Sequence, residues 1–235
     1  PSHGLLVTSA TLTDGSGDVE ADWRAAEQRT GAVHLPEGAM RARAPSPFDY
    51  PAQTRVYIVN DVRKDDLDLV AAAYRELFKA AGGGALGLFT AISRLRGVHR
   101  RIAGPLEEAG LTLYGQHVDA LNLPTLIDIF RAETDSCLLG TDAVRDGVDV
   151  PGDSLRLVVM EQVPWAKPSI LHRARRAAHM EQFDANRQAY DDAIVRARIA
   201  QAFGRLIRSK DDRGRFVVLS PAFPSRLLSA FPQGT

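Results

Sequence analysis

Apolar residues occur along this chain in short runs that alternate with segments of helical spacing. Runs such as residues 85–89 predict buried strands, because continuous apolar stretches are typical of a sheet covered on both faces. Leu67, Val70, Tyr74 and Leu77 recur instead at the spacing of one helix face. The predicted strands are residues 4–9, 55–59, 85–90, 111–114, 136–140, 155–161 and 215–220. The predicted helices are residues 66–81, 95–109, 124–132, 170–178 and 191–208.

The order of these elements predicts the fold class and one boundary. Strands that alternate with helices indicate an α/β fold, a doubly wound and mainly parallel sheet, over residues 52–235. An irregular leader over residues 1–51 precedes it, because residues 14–51 are rich in glycine, proline and charged residues without a sustained period. We expect one short helix there, near residues 23–28. Doubly wound sheets bind ligands at the carboxyl ends of their strands, where polar residues are the first candidates for function.

The composition excludes several classes of protein. The 235 residues are 45% hydrophobic and 25% charged, as in globular proteins, and 29 basic against 29 acidic residues leave no net cationic field. The single cysteine, Cys137, excludes an internal disulfide or iron–sulfur cluster, and the histidines lack metal-ligand spacing, so we expect no metal site. No apolar run reaches the roughly 18–20 residues of a membrane span, and no signal peptide is visible. We therefore expect a cytoplasmic protein without membrane contact.

A glycine-rich segment follows the predicted strand 136–140. Residues 140–152 read GTDAVRDGVDVPG and combine glycines with hydroxyl, carboxylate and guanidinium groups. Backbone N–H groups of such a loop can bind phosphate oxygens, and a carboxylate can bind a ribose or metal-bound water. A calcium-like loop and an ordinary turn both remain open from the residues alone.

The last predicted helix carries a basic stripe. Arg198, Gln201, Arg205 and Arg208 follow one another at helical spacing, which places them on one face. The stripe is either a solvated surface or a phosphate-binding face. Gly204 costs about 1 kcal/mol in a helix interior relative to alanine, and the close approach of a ligand or another chain is one reason for a glycine there.

These two segments together resemble motifs V and VI of superfamily 2 helicases of the DinG and XPD type. Residues 140–152 resemble motif V, and QAFGRLIR at residues 201–208 resembles motif VI. TSATL at residues 8–12 is similar to motif III of that branch, and LFT at residues 88–90 to motif IV. SPFDY at residues 46–50 resembles the entry into the second motor domain. The order of all five segments is that of the family.

The resemblance implies the carboxyl-terminal half of an ATP-dependent DNA helicase that moves 5′ to 3′ on single-stranded DNA. Residues 1–51 would be the end of the first RecA-like motor domain and a linker, and residues 52–235 the second motor domain. The chain has no G-x-x-x-x-G-K-[ST] loop and no Asp-Glu-x-His. ATP and Mg²⁺, and an iron–sulfur cluster if the protein has one, would therefore be held mainly by the missing half. We expect a monomer that is inactive in isolation and whose partners are DNA and the first motor domain.

The resemblance also assigns roles to single residues. Arg208 and Arg205 would reach the γ-phosphate of ATP as arginine fingers, and Gln201 would join the phosphate and water network. Gly147 and Asp149 would line the same nucleotide cleft. A second set of residues would contact the single-stranded DNA backbone: Thr90, Ser93, Arg94, Gln116 and Thr141.

Two other functions compete with the helicase. One is a non-enzymatic α/β module that docks nucleic acid or a protein through the basic face of the predicted helix 170–178, which carries His172, Arg173, Arg175 and Arg176. The other is a self-sufficient nucleotide-binding enzyme, which the absence of a phosphate-binding loop disfavours.

Overall fold

The computed structural model describes residues 4–13, 15–147, 149–183 and 187–235. The strands are β1 (Thr54–Val59), β2 (Ala85–Leu88), β3 (Thr112–Gly115), β4 (Ser136–Gly140), β5 (Leu157–Met160) and β6 (Gly214–Leu219). The α-helices are α1 (Val19–Thr30), α2 (Tyr50–Gln53), α3 (Leu67–Ala81), α4 (Ile92–Glu107), α5 (Leu123–Ala132), α6 (Asp142–Gly147), α7 (Ile170–Phe183) and α8 (Arg187–Phe203). Short 3₁₀ helices cover Ala32–His34, Gly152–Ser154 and Ser225–Ala230.

The six strands form one sheet in the order β1-β6-β5-β2-β4-β3, and every neighbouring pair is parallel. Leu86 of β2 lies opposite Leu138 of β4 on one side and Val158 of β5 on the other. Parallel neighbours need crossover connections, which the chain supplies mostly as helices. The predicted doubly wound α/β fold is confirmed.

Alternate strand residues supply the two faces of the sheet. On one face, Tyr74 and Phe78 of α3 are fully buried with their ring centroids 5.6 Å apart, and the Tyr74 hydroxyl donates to the Val159 carbonyl at 3.2 Å. Phe203 and Phe216 meet on the other face at 5.9 Å. Aromatic pairs at these centroid distances stabilise a fold by more than their buried apolar area alone would.

Polar side chains cap the starts of α3 and α5. The Asp66 side chain accepts a hydrogen bond from the Leu69 N–H at 3.0 Å and caps α3, which ends at Gly82 in the left-handed conformation (φ 65°). Asn122 caps α5 in the same way through the Thr125 N–H. Both caps satisfy donors that the first helical turn leaves open. The starts of α3 and α5 are therefore fixed by local chemistry.

Contacts divide the chain into two compact units. The sheet unit comprises Phe48–Pro164, Gln201–Ser225 and Phe231–Thr235, and the helical unit comprises Pro1–Pro47, Trp165–Ala200 and Arg226–Ala230.

Polar contacts surround α1 in the helical unit. Asp22 accepts hydrogen bonds from the N–H and the hydroxyl of Ser16, at 3.0 and 2.7 Å. Arg41 forms salt bridges to Glu20 at 2.9 Å and to Glu27 at 2.6 Å. The hydrogen bond from Arg41 lowers the pKa of Glu27, although Glu27 lies at the surface. Ion pairs of this exposed kind contribute little stability, roughly 0–1 kcal/mol each.

Three predicted elements differ from the structure. Residues 4–9 form no strand, and Leu5 and Leu6 are more than four-fifths exposed, because a strand needs a hydrogen-bonding neighbour. The leader helix α1 is longer than expected, since Asp18 caps it and extends it by a turn at its start. Helix α8 ends at Phe203 instead of continuing to residue 208, so Arg205 and Arg208 do not belong to a helical stripe. Gly204 consequently lies in the turn after the helix, not in its interior.

Gly140 at the end of β4 allows α6 to approach the sheet closely. A Cβ atom at this position would overlap the side chain of the fully buried Val144. We expect Gly140→Ala to destabilise the fold by about 1–3 kcal/mol, the usual cost of overpacking. Chemical denaturation of the purified chain measures this change.

Two further variants test the cause. Val144→Ala added to Gly140→Ala should recover part of the loss, because the shorter side chain makes room. Gly104 lies inside α4, and a Cβ added there meets no atom within 4 Å. Because alanine has a higher helix propensity than glycine, Gly104→Ala should leave the stability unchanged or raise it by up to about 1 kcal/mol. Equal losses at Gly104 and Gly140 would contradict the packing argument.

Candidate functional site

The carboxyl edge of the sheet carries a row of polar side chains, which we call the carboxyl-edge row: Thr90, Gln116, Thr141 and Gln162. They follow β2, β3, β4 and β5, and these strands are neighbours in the order β5-β2-β4-β3. The row therefore runs across four adjacent strands. It contains three of the five residues predicted to contact DNA.

Hydrogen bonds join the row into two pairs. The Gln116 side-chain carbonyl accepts from both the N–H and the hydroxyl of Thr141, each at 2.9 Å. The Gln162 amide nitrogen donates to the Thr90 hydroxyl oxygen at 2.5 Å. Because a backbone N–H can only donate, the Thr141 contact fixes which end of the Gln116 amide faces it. The amide N–H₂ of Gln116 is then oriented away from Thr141.

Arg94 and Ser93 lie in the first turn of α4, beside this row. Ser93 is exposed, whereas the Arg94 guanidinium pairs with Glu161 and also donates to the Lys64 carbonyl at 2.6 Å. Glu161 directly precedes Gln162 and its side chain is fully buried. Burial raises the pKa of Glu161, and the hydrogen bond from Arg94 opposes that rise. The guanidinium of Arg94 thus has a structural partner besides its predicted role toward DNA.

The residues predicted to face a nucleotide lie at the opposite, amino edge of the sheet. Arg208 is in the loop that precedes β6, and Asp149 is in the loop that precedes β5. Their side chains form a salt bridge, Arg208 Nε to Asp149 Oδ1, at 3.1 Å. Arg131 from α5 holds the Asp149 carbonyl with two hydrogen bonds, at 3.1 and 2.9 Å. Motifs V and VI are therefore brought together through their predicted nucleotide-facing residues.

The other nucleotide candidates lie in the same two sequence segments as this pair. Gln201 is half-buried in the last turn of α8, and Arg205 lies in the turn that follows, with its N–H bonded to the Ala202 carbonyl at 3.2 Å. Gly147 is the exposed last residue of α6. Among the described residues, the nearest atom to a Cβ built at Gly147 is Ile127 Cδ1 at 3.8 Å, an ordinary contact. Packing among those residues does not require glycine at this position. Val148, the middle residue of the Gly-Val-Asp segment, lies outside the described residues.

Two buried residues of this edge were missed by sequence reasoning. Asp212 accepts hydrogen bonds from the N–H groups of Arg208 (2.6 Å), Ser209 (2.8 Å) and Gly152 (3.2 Å), and from the Ser209 hydroxyl (2.6 Å). The Gln53 amide nitrogen donates to the carbonyls of the same loop. Burial by itself would raise the pKa of Asp212, but the hydrogen bonds from Ser209 and the backbone outweigh it and lower that pKa. Asp212 is therefore an anion at neutral pH.

Comparison with known proteins identifies the family. Residues 74–233 match the model described as the helicase C-terminal domain. The chain belongs to this helicase family. It is 29% identical over 229 residues to the 3′-5′ exonuclease DinG of Bacillus subtilis, a match that covers 92% of this chain and 23% of that protein. It is 31% identical over 221 residues to the ATP-dependent helicase DinG of Mycobacterium tuberculosis, covering 91% of this chain and 32% of that protein.

Solved structures support the fold of this helicase C-terminal domain. It superposes on an XPD helicase with a TM-score of 0.55 at 18% identity, over 72% of this chain and 31% of that one. It superposes on Xpd4 of S. tokodaii with a TM-score of 0.58 at 11% identity, over 81% and 38%. The predicted DinG and XPD type and the RecA-like fold are confirmed. The chain spans less than a quarter of the length of the Bacillus subtilis relative and about a third of the length of the Mycobacterium tuberculosis relative.

Other ligand classes receive no support from the described residues of this helicase C-terminal domain. They contain no group of three or more His, Cys, Asp and Glu side chains placed to hold a metal ion. Their helices lack the length and apolar character that a bilayer span requires. Cys137 is fully buried in β4, and burial raises the pKa of its thiol to about 12. A thiol of this kind is unreactive at neutral pH.

Arg94→Ala tests whether the Arg94–Glu161 pair is structural in this helicase C-terminal domain. Truncation leaves the buried Glu161 carboxylate without its cation, and such losses cost about 3–5 kcal/mol. Denaturant unfolding should therefore show a large drop for this variant. Glu161→Gln in the Arg94→Ala background should recover part of it, because the uncompensated charge is gone.

The matched control is Arg101→Ala, on the same helix. Arg101 pairs with Asp68 at 2.5 Å, but 38% and 84% of the two side chains are exposed, so the expected loss is below about 1 kcal/mol. Similar losses of stability for Arg94→Ala and Arg101→Ala would show that the Arg94–Glu161 pair stabilises the fold no more than an exposed ion pair does.

Proposed function

We propose that this chain is the second motor domain of an ATP-dependent DNA helicase that translocates on single-stranded DNA and unwinds duplexes, with 5′ to 3′ polarity. In this proposal residues 52–235 form the second motor domain, and residues 1–51 are the end of the first motor domain and the linker. The relatives named as ATP-dependent helicases support the activity. The family match over residues 74–233 supports the assignment of the domain.

The observation that carries the proposal is the contact between Arg208 and Asp149. The two residues are far apart in the sequence, and the family resemblance assigns both to one nucleotide cleft. They lie 3.1 Å apart, from Arg208 Nε to Asp149 Oδ1. A chance surface arginine would have no reason to meet the carboxylate of motif V.

The pair suits a residue that must change partners. Arg208 is 33% exposed and Asp149 71% exposed, so their attraction is screened by water and worth at most about 1 kcal/mol. A guanidinium also carries further N–H donors besides Nε, in a fork that matches phosphate oxygens. When a nucleotide is held by the first motor domain with its magnesium ion, Arg208 can turn from Asp149 to the γ-phosphate at small cost. It would there stabilise the charge of the transition state.

The carboxyl-edge row suits contact with a nucleic-acid backbone. Phosphate oxygens only accept hydrogen bonds, so a phosphate-binding surface must present donors. Gln116 offers its amide N–H₂ while its carbonyl is held by Thr141. Thr90 accepts from Gln162, which leaves its own hydroxyl hydrogen to be donated. The row thus provides neutral donors for a sugar–phosphate chain from Gln116 after β3 and from Thr90 after β2.

The rival docking module has less support. Its basic helix is α7, and two of the four basic residues proposed for docking are engaged within the helical unit. His172 Nε2 lies 2.9 Å from Asp191 Oδ1, and Arg176 lies 3.2 Å from Asp191 Oδ2. Arg173 and Arg175 remain exposed, as solvated surface residues commonly are. These contacts favour the helicase proposal.

Arg208→Ala in the full-length protein tests the arginine finger. DNA-stimulated ATP hydrolysis should fall by a factor on the order of 10³, as when arginine fingers are removed elsewhere. Nucleotide affinity should change far less, because an interaction made in the transition state lowers turnover more than binding. Arg208→Lys should rescue poorly, since lysine keeps the charge but lacks the planar fork. Steady-state ATPase kinetics and nucleotide titrations measure both effects.

Two controls accompany this test. Arg100→Ala removes an exposed arginine of α4 and should leave turnover near that of the wild type. Residues 1–235 alone should not hydrolyse ATP, because they contain no phosphate-binding loop. A folded Arg208→Ala helicase with near-normal turnover would refute the finger assignment.

Thr141→Val tests the carboxyl-edge row. The valine keeps the shape of threonine but removes the hydroxyl that binds Gln116. We expect the DNA concentration for half-maximal ATPase stimulation to rise about tenfold, the equivalent of one hydrogen bond of roughly 1.4 kcal/mol in a phosphate-binding network. Turnover without DNA should fall less than stimulated turnover.

Thr112→Val is the matched control, at the opposite end of a neighbouring strand. Thr112 is exposed at the start of β3, and valine suits a strand. The two variants are compared by titration of single-stranded DNA. Equal DNA titrations for Thr141→Val and Thr112→Val would exclude the row from DNA binding.

A further inference from the structure

The loop that carries Arg208 has no helix or strand to hold it. It runs between the end of α8 at Phe203 and the start of β6 at Gly214. Side chains therefore hold the Arg208 backbone in place, and Leu206 and Ile207 of the loop are buried. Two buried polar residues, Asp212 within the loop and Gln53 outside it, bind the polar groups of its backbone, and neither has a role in the function proposed above.

Asp212 binds backbone N–H groups of the loop and of the segment that precedes β5, at the amino edge of the sheet. Its Oδ2 atom accepts from the Arg208 and Ser209 N–H groups at 2.6 and 2.8 Å, and its Oδ1 atom accepts from the Ser209 hydroxyl at 2.6 Å and the Gly152 N–H at 3.2 Å. Gly152 lies in the segment that leads into β5. A carboxylate makes stronger hydrogen bonds than a neutral acceptor, so these contacts tie the Arg208 backbone to the motif V segment.

Gln53 holds the same loop from a third chain segment. It is the last residue of α2, directly before β1, and only 5% of it is exposed. Its amide nitrogen lies 3.1 Å from the Ser209 carbonyl, 3.2 Å from the Lys210 carbonyl and 3.1 Å from the Asp212 carbonyl. The two N–H donors of one side chain are thus shared among three carbonyls of the loop.

The two contacts complement each other chemically. Asp212 binds the donors of the loop, and Gln53 binds its acceptors. The contacts are mostly part-buried, so the loss of either side chain would leave polar groups of the loop to be satisfied by water and would weaken this conformation without abolishing the fold. The Arg208 side chain can still move, because its own salt bridge to Asp149 is half-exposed.

We propose that Asp212 and Gln53 are positioning residues that hold the Arg208 loop in the geometry required for γ-phosphate contact. This proposal rests on the helicase function proposed above, in which Arg208 is the arginine finger. Catalytic groups must be placed closely, and a displacement of about 1 Å can reduce a rate roughly 100-fold. Asp212 itself need not touch the nucleotide, since both of its oxygens are engaged by four protein donors.

Asp212→Asn and Gln53→Met in the full-length protein test the proposal. The asparagine is isosteric with aspartate but places an amide N–H₂ against N–H donors of the loop, and the methionine keeps the length of glutamine without its donor. For each variant we expect DNA-stimulated kcat to fall roughly 10- to 100-fold, with KM for ATP within about twofold of the wild type. A variant that merely lost its fold would have a lower active fraction and a lower melting temperature. Its loss of kcat would be the same with or without Arg208.

A double-mutant cycle supplies the decisive readout. In the Arg208→Ala background the finger is already absent, so Asp212→Asn should cause little further loss of kcat. Independent, multiplicative losses would show that Asp212 acts on folding or on another part of the site, and would overturn the proposal. Asp211→Asn is the matched control, because it removes the same charge from the exposed neighbour and should leave kcat unchanged.

The outcomes separate this proposal from the function on which it rests. If the wild-type protein hydrolyses ATP with DNA and Arg208→Ala abolishes this, normal kcat in both Asp212→Asn and Gln53→Met refutes the positioning role alone. If the wild-type protein shows no DNA-stimulated hydrolysis, the helicase function fails and the positioning role fails with it. If Asp212→Asn does not fold, the double-mutant cycle with Arg208→Ala uses Gln53→Met and Ser209→Ala instead. Ser209→Ala is the milder change, because it removes one hydrogen bond to Asp212.

Discussion

Parallel pairing of the six strands is the constraint on which both candidate sites depend. In a parallel sheet all strands end at one edge and begin at the other, so the two edges collect different parts of the chain. Thr90, Gln116 and Thr141 follow strands and meet at the carboxyl edge, whereas Arg208 and Asp149 precede strands and meet at the amino edge. One topological fact thus separates the residues proposed for DNA from those proposed for the nucleotide.

Motif V connects the two edges through a single short helix. Thr141 lies at the start of α6 and Asp149 follows its end, so one segment supplies a residue to each candidate set. Val144 is fully buried in the middle of this helix and packs against Gly140, where a larger residue would not fit. Close packing of this kind resists deformation, and it fixes α6 against the end of β4, beside Thr141.

The sequence allowed the fold and the motif residues to be predicted, but not the contacts that organise them. The six strands of the sheet and both ends of α3 follow from local signals, because apolar runs, Asp66 and Gly82 act locally, whereas the predicted strand 4–9 has no pairing neighbour and does not form. The end of α8 was placed wrongly, because helical spacing of Gln201 and Arg205 continues beyond the point where the backbone turns. The contact between Gln53 and the loop around Ser209 joins distant segments, and no local pattern indicates it.

In the proposed function the loop around Arg208 combines a backbone held by hydrogen bonds with a side chain that changes partners, and the two properties have different physical sources. The backbone is fixed by hydrogen bonds to the Asp212 carboxylate, a residue that is only 6% exposed, where water competes little. The guanidinium pairs with Asp149 in a half-exposed position, where water competes strongly and the pair is weak. An arginine finger needs both a fixed backbone and a weakly held side chain. A mobile backbone would lose the required geometry, and a tightly bound side chain could not transfer to a phosphate. The burial of Asp212 and the exposure of Asp149 therefore determine which part of Arg208 can move.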